Sequence, residues 1–166
     1  GIHVTNVEQA FVYNNTFAEN VSIYYSIELG LLTNNSEVYN NKINCTGFGG
    51  YHGIVFRDAH NNTGYYNDIY NCSFGLLFHN SSFGNTFRDS TVGQSAVGLY
   101  LIDGAVNNSA YNLTLLDNKD GLYFYHYPTQ GTSPNLYPWG NNISEINISG
   151  SSQYGLRFNN ASSNAN

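Results

Sequence analysis

One four-residue phrase returns seven times along the 166 residues: G-I-H-V from Gly1, S-I-E-L from Ser26, G-I-V-F from Gly53, G-L-L-F from Gly75, G-L-Y-L from Gly98, G-L-Y-F from Gly121 and G-L-R-F from Gly155. The copies are 25, 27, 22, 23, 23 and 34 residues apart. A period of this size, carried by an alternating strand phrase, marks a solenoid in which each repeat is one coil. The second position of the phrase is Ile2, Ile27, Ile54, Leu76, Leu99, Leu122 and Leu156, and the fourth is Val4, Leu29, Phe56, Phe78, Leu101, Phe124 and Phe158. Residues two apart on a strand share a face, so stacking the copies as parallel strands buries both series in one core.

Leucine-rich and helical repeats compete at this period. The first needs a second leucine phrase with Asn or Cys at fixed spacing, and the second needs helix formers at i, i+3 and i+4. Neither pattern occurs. Between the phrases the chain is rich in Asn, Ser, Thr and Gly with interspersed Tyr, Ile and Val, which favours turns and short strands.

The segments Y-N-N-K-I-N-C-T at 39–46 and Y-N-D-I-Y-N-C-S at 66–73 carry a resemblance to the parallel β-helix repeats of the pectate-lyase-like superfamily. The likeness is greatest to its NosD-like and archaeal surface-protein branch. It implies an all-β, right-handed parallel β-helix of about six to seven coils over residues 1–166, and says little of function, because this fold hosts lyases, hydrolases, adhesins and fibres. The chain opens on one rung phrase and stops just after another. That leads us to expect a segment or processed part of a longer or polymerising protein, with solenoid edges that meet more of the same protein or a second subunit.

Only 5 basic side chains stand against 11 acidic ones, for a net charge of −6, so a nucleic-acid partner has no electrostatic footprint. No apolar run is long enough to span a bilayer. N-x-S/T sequons fall at Asn14, Asn20, Asn34, Asn44, Asn61, Asn71, Asn80, Asn107, Asn112, Asn142, Asn147 and Asn160. With 27 Asn among the residues, chance placement gives about 4 such acceptors. The excess has two readings: a repeat that copies its own Asn-rich turns, or a heavily N-glycosylated protein displayed outside the cell. Cys45 and Cys72 occupy equivalent places in consecutive coils, within reach of a disulfide across adjacent strands, or of a pair of stacked buried thiols.

Candidate chemistry is sparse. The position after each strand phrase holds Asn6, Asp58, Asn80, Asp103, His126 and Asn160, where stacked side chains make a hydrogen-bonded ladder. Asp58 and Asp103 flank Asn80 in that column and are the acids a glycosidase would need. Arg57 and Arg88 are the cations that would neutralise a uronate. His3, His52, His60, His79 and His126 fall at different coil positions, which argues against a metal centre. We therefore assign no catalytic residue, metal or cofactor from the sequence.

Two features read as interaction surfaces. The outward position of the phrase is His3, Glu28, Val55, Leu77, Tyr100, Tyr123 and Arg157, so its middle rungs present an apolar, aromatic stripe. Such a stripe serves lateral packing, covering by a loop, or sugar binding. The last phrase interval is long because of an inserted loop at 125–142 that holds Pro128, Pro134, Pro138, Tyr137 and Trp139. The expected interface is Val55, Leu77, Tyr100, Tyr123, Tyr137 and Trp139. The sequence thus favours an N-glycosylated structural subunit of an extracellular filament, sheath or S-layer-like assembly, a homopolymer packed head-to-tail and laterally. Its alternative is a carbohydrate-binding or polysaccharide-cleaving module with Tyr100, Tyr123 and Trp139 as platform.

Overall fold

The computed structural model describes residues 1–19, 24–46, 50–126 and 138–160. Strands are numbered in chain order. The seven phrases form one parallel sheet of β1 (Ile2–Thr5), β4 (Tyr25–Gly30), β7 (His52–Arg57), β10 (Phe74–His79), β12 (Val97–Ile102), β14 (Asp120–His126) and β16 (Tyr154–Asn160). The register runs Ile2↔Ile27↔Ile54↔Leu76↔Leu99↔Leu122↔Leu156, which reproduces every interval of the repeat. The chain is an all-β parallel solenoid, as the periodicity requires.

A second parallel sheet faces the first across the core. In the early coils it is split into short strands: β2 (Phe11–Tyr13), β5 (Glu37–Tyr39) and β8 (Thr63–Tyr65) on one side of a corner, β3 (Thr16–Glu19), β6 (Lys42–Cys45) and β9 (Asp68–Tyr70) on the other. Both rows merge on β11 (Thr86–Gly93), which continues into β13 (Ser109–Leu116) and β15 (Asn142–Ser149). Single bridges Glu8↔Asn34↔His60↔Phe83↔Val106 close the third side of the coil.

Both apolar series lie in the core. Ile27, Leu29, Ile54, Phe56, Leu76, Phe78, Leu99 and Leu101 are fully buried against Val38, Ile43, Ile69, Phe87, Val92 and Leu115 of the second sheet. Each such side chain is worth roughly 1.5–3 kcal/mol of transfer free energy. Size is balanced across neighbouring rungs: a Cβ on Gly64 would collide with the Phe87 ring, and Phe87 in turn meets Phe56 edge-on at 6.3 Å. On the last described rung the same series is uncovered, with Leu156 52% and Phe158 70% exposed.

The corners follow one local rule. A residue with positive φ reverses the chain, and the next residue points inward to bind the coil above. Asn14, Asn40, Asn61, Asn71, Asn107 and Asp117 are left-handed, at φ from 52° to 58°. Asn is the non-glycine residue that tolerates that region best. The residues that follow them form stacked ladders, Asn15–Asn41–Asn67–Ser90 at one corner and Ser36–Asn62–Asn85–Asn108–Asn141 at another. Asn41, Asn62, Asn67, Asn85 and Asn108 are completely buried, and each accepts a backbone N–H from the preceding coil. This satisfies amides that a tight corner otherwise strands in the core.

The third corner is closed covalently. Cys45 and Cys72 are joined by a disulfide with a Cα–Cα distance of 4.9 Å. Ser95 and Asn118 continue that corner by hydrogen bonds, Ser95 accepting from the Cys72 amide and Asn118 from the Ser95 amide.

Candidate functional site

Among the described residues, most of the paired charges lie on the outer face of the first sheet. Parallel pairing sets His3 beside Glu28 and Glu28 beside Val55 in one column. It sets Arg57 beside His79 in the next. Glu28 has no solvent exposure; its carboxylate is ion-paired with Arg57 and lies 3.5 Å from His3 Nδ1. Arg57 also donates to the Tyr25 hydroxyl at 3.4 Å and lies over that ring.

His79 stands one rung on, with Nε2 3.9 Å from Asp103 Oδ2. Burial lowers its pKa and Arg57 adds to this, against opposing pulls from Asp103 and Asp58, so the imidazole is neutral at neutral pH. Such a group can accept a proton, and the arginine of the adjacent strand supplies positive charge next to it. At the far end, Arg157 pairs with Asp120 at 3.0 Å and stacks over Tyr123 at 4.5 Å.

Between these polar ends lies the aromatic stripe, and here the structure corrects the sequence-based expectation. Val55 is 0%, Leu77 5% and Tyr100 7% exposed. They form a second apolar cluster with Val97, packed by Tyr25, Phe74, Ile102, Tyr123 and Tyr125. Rings from successive rungs lean on one another: His52 on Phe74 at 4.7 Å, Phe74 on Tyr100 at 4.7 Å, Tyr100 on Tyr123 at 4.9 Å. A column whose faces are already taken offers little to a second subunit or a sugar ring. Trp139 is 59% exposed, whereas Tyr137 and the rest of the insertion at 127–137 lie outside the described residues.

The turn column is left-handed at Asn6, Asp58, Asn80 and Asp103, with Leu31 supplying the rung that the sequence pattern skips. Asn80 Nδ2 donates to Asp58 Oδ2 at 3.2 Å and the Ser81 amide donates to Asp58 Oδ1 at 3.3 Å. Asp58 therefore serves the ladder while Asp103 attends His79, and the two do not face each other as bare acids. His126 and Asn160 end strands β14 and β16 instead of occupying that turn. Arg88 stands on the second sheet, over Tyr65, far from the role of a partner to Arg57. His52 and His60 each meet an aromatic ring, and among the described residues no three metal-ligating side chains converge.

Of the sequon asparagines, Asn14, Asn44, Asn61, Asn71, Asn107, Asn112, Asn142 and Asn147 are exposed, and Asn34 and Asn80 are half-buried. Asn20 and the Asn160 side chain lie outside the described residues. The N-N-T and N-N-S phrases at 14–16, 61–63 and 107–109 coincide with corners, where the first Asn is left-handed, the second is the ladder residue and the hydroxyl residue begins a strand or leads into it. Backbone geometry accounts for these sequons without reference to glycosylation. The sequence reading placed a hydrogen-bonded ladder in the turn column and missed the buried asparagine ladders at the other corners, although the recurring N-N doublets were their signal.

No protein-family model and no curated protein matches the chain. Among solved structures it is similar to crystal structures of the periplasmic alginate epimerase AlgG. A double mutant of that enzyme gives 18% identity and a TM-score of 0.63 over 95% of this chain and 47% of that one. A single mutant gives 18% and 0.61, also over 95% and 47%. The unmutated protein gives 17% and 0.59 over 95% and 46%. The chain thus spans about half the length of these structures. At that level of identity the likeness shows the fold alone, a parallel β-solenoid.

Proposed function

We propose that the chain is a polysaccharide-recognising β-solenoid module of an extracytoplasmic protein, and that it meets acidic polysaccharide on the outer face of its first sheet. The observation that carries this is the placement of a neutral His79 between Arg57 and Asp103 on consecutive rungs. Arg57 binds a sugar carboxylate, and His79 exchanges a proton with the sugar it holds. The fold shared with a periplasmic alginate epimerase supports this reading, as do the Cys45–Cys72 disulfide and the exposed sequons for a location outside the cytoplasm. A filament held by lateral packing of Val55, Leu77 and Tyr100 has lost its support, because those side chains are spent within the chain.

The test is affinity electrophoresis through gels containing alginate or polygalacturonate, followed by NMR of the recovered polymer for cleavage or inverted uronate centres. Retardation that disappears in Arg57→Ala and weakens in His79→Ala is expected. Mobility in both polymers equal to that of an inert control protein would overturn the reading.

A further inference from the structure

The two corners that bound and bend the second sheet are built from triplets in one phase: a left-handed residue, an inward residue, and a third that begins or continues the strand. At the first corner the triplets are Asn61-Asn62-Thr63, Gly84-Asn85-Thr86, Asn107-Asn108-Ser109 and Gly140-Asn141-Asn142. At the second they are Tyr66-Asn67-Asp68, Asp89-Ser90-Thr91, Asn112-Leu113-Thr114 and Glu145-Ile146-Asn147. In these coils before β15 the third place is Thr, Ser or Asp. On β15 it is Asn at both corners.

This shift of phase separates two kinds of sequon. At 61–63, 107–109 and 112–114 the Asn holds the left-handed place, where the backbone favours it, and the hydroxyl residue comes third. The amide nitrogens of Asn61 and Asn112 are also engaged, Asn61 donating to Asn34 at 3.3 Å and Asn112 to Asp89 at 2.6 Å. On β15 the sequons start at the third place instead, as Asn142-Ile143-Ser144 and Asn147-Ile148-Ser149. Neither Asn is left-handed, and neither side chain has a polar partner among the described residues. Asn is poorly suited to a strand, where the Thr of earlier coils is favoured. Ile143 and Ile148 pack toward the core, so in each sequon the Asn and the Ser stand together on the exposed outer face.

We infer that β15 is the N-glycosylated strand of this protein, modified at Asn142 and Asn147, and that the corner sequons at Asn61 and Asn112 stay bare. Backbone geometry explains an Asn at the corners, whereas on β15 nothing in the fold asks for one at either place. In the transfer, Nδ2 attacks the anomeric carbon of a polyprenyl-phosphate-linked oligosaccharide. A C–N bond forms, the C–O bond to phosphate breaks, the lipid phosphate leaves with the bonding pair and the amide releases one proton. The two sites stand on either side of the Glu145 corner, on a strand that among the described residues pairs only with β13. Glycans there flank a sheet edge and shield it from pairing with another chain. The second sheet faces the first across the core, so they project away from Arg57 and His79 and leave that face open. The inference rests on the extracytoplasmic location proposed above, but not on polysaccharide recognition.

Glycopeptide mass spectrometry of the protein isolated from its native source should find glycan on Asn142 and Asn147 and none on Asn61 or Asn112. In the whole chain made without N-glycosylation, Asn142→Gln combined with Asn147→Gln should leave the melting temperature within ~1 °C of wild type, while Asn112→Gln lowers it by about 2–4 °C. Either β15 asparagine found bare would overturn the inference, and so would glycan on Asn61 or Asn112 at equal occupancy. A melting temperature lowered as far by the β15 pair as by Asn112→Gln would overturn it too, since the two amides would then be structural. The state of Cys45 and Cys72 in the same native sample separates the inference from the location it rests on. Bare β15 sequons beside an intact disulfide refute the glycosylation alone, and reduced cysteines refute the location as well.

Discussion

Asn85 Oδ1 accepts two hydrogen bonds from Asn62 in the preceding coil, one from its backbone amide and one from its side-chain amide, both at 3.0 Å. Its own Nδ2 donates to the Ala59 carbonyl at 2.7 Å and to Asn108 Oδ1 at 3.0 Å. With no solvent exposure at Asn62, Asn85 or Asn108, every one of these groups depends on its neighbour in the column. Asn85→Ala should therefore cost about 3–5 kcal/mol, more than the loss of one bond, because it strands several buried polar groups. Asn85→Asp keeps the acceptor but loses the donor and buries a charge. It should be about as damaging at neutral pH and recover as the solution is acidified. Urea denaturation of both variants at two pH values checks this, and a cost below 1 kcal/mol for Asn85→Ala would show that the ladder is dispensable.

Reduction of the Cys45–Cys72 bond should lower stability by about 3–4 kcal/mol if the loss is the loop entropy of the 27 residues it spans. Cys45→Ala with Cys72→Ala should show the same loss with no further response to reductant. Equal denaturation midpoints for oxidised and reduced wild type would contradict the assignment.

His52 lies between Tyr25, whose ring is tilted against it, and Phe74, on which it stacks, and its Nδ1 finds no hydrogen-bond partner among the described residues. Burial, with a smaller push from His79, lowers its pKa to about 4. The unfolded chain binds the proton more readily than the folded one. Stability is therefore whole above pH ~6.5 and falls as pH drops toward ~4, by roughly 2–3 kcal/mol for this group. His52→Phe preserves the stack and should flatten that acid limb. An identical pH dependence of the melting temperature in the variant would rule His52 out as its source.

The buried carboxylate of Glu28 makes Arg57 a structural requirement as well as a binding group. Arg57→Met should destabilise by about 3–5 kcal/mol, because it leaves the buried Glu28 carboxylate without its arginine, with only His3 beside it. Glu28→Leu combined with Arg57→Met should recover most of that loss. Circular-dichroism melts of the single and double variants measure the coupling, and additive effects would mean that the pair does not act as one. For the carbohydrate assays it follows that Arg57→Ala needs a folding control, which the double variant provides.

The repeat phrase carried most of the architecture in legible form. Two apolar residues two apart, returning at each coil, can be buried together only by parallel stacking, so the register from Ile2 to Leu156 and the core beneath it are consequences of period and pleat. The facing positions of Cys45 and Cys72 were likewise visible as a shared place in the coil. The corners were written in the N-N doublets, but only a rule about left-handed backbone and inward amides turns that spelling into buried ladders. Tertiary structure alone decided the outward faces. Val55, Leu77 and Tyr100 alternate with the core residues and so point away from it, yet whether an outward side chain meets water depends on what lies beside it. Here rings leaning across from neighbouring rungs close the surface over them. Arg57 and His79, 22 residues apart in the chain, become neighbours through the same stacking, and the second sheet separates Arg88 from both. Burial and charge pairing are properties of distances between rungs, which a strand's alternation fixes for its inner face and leaves open for its outer one.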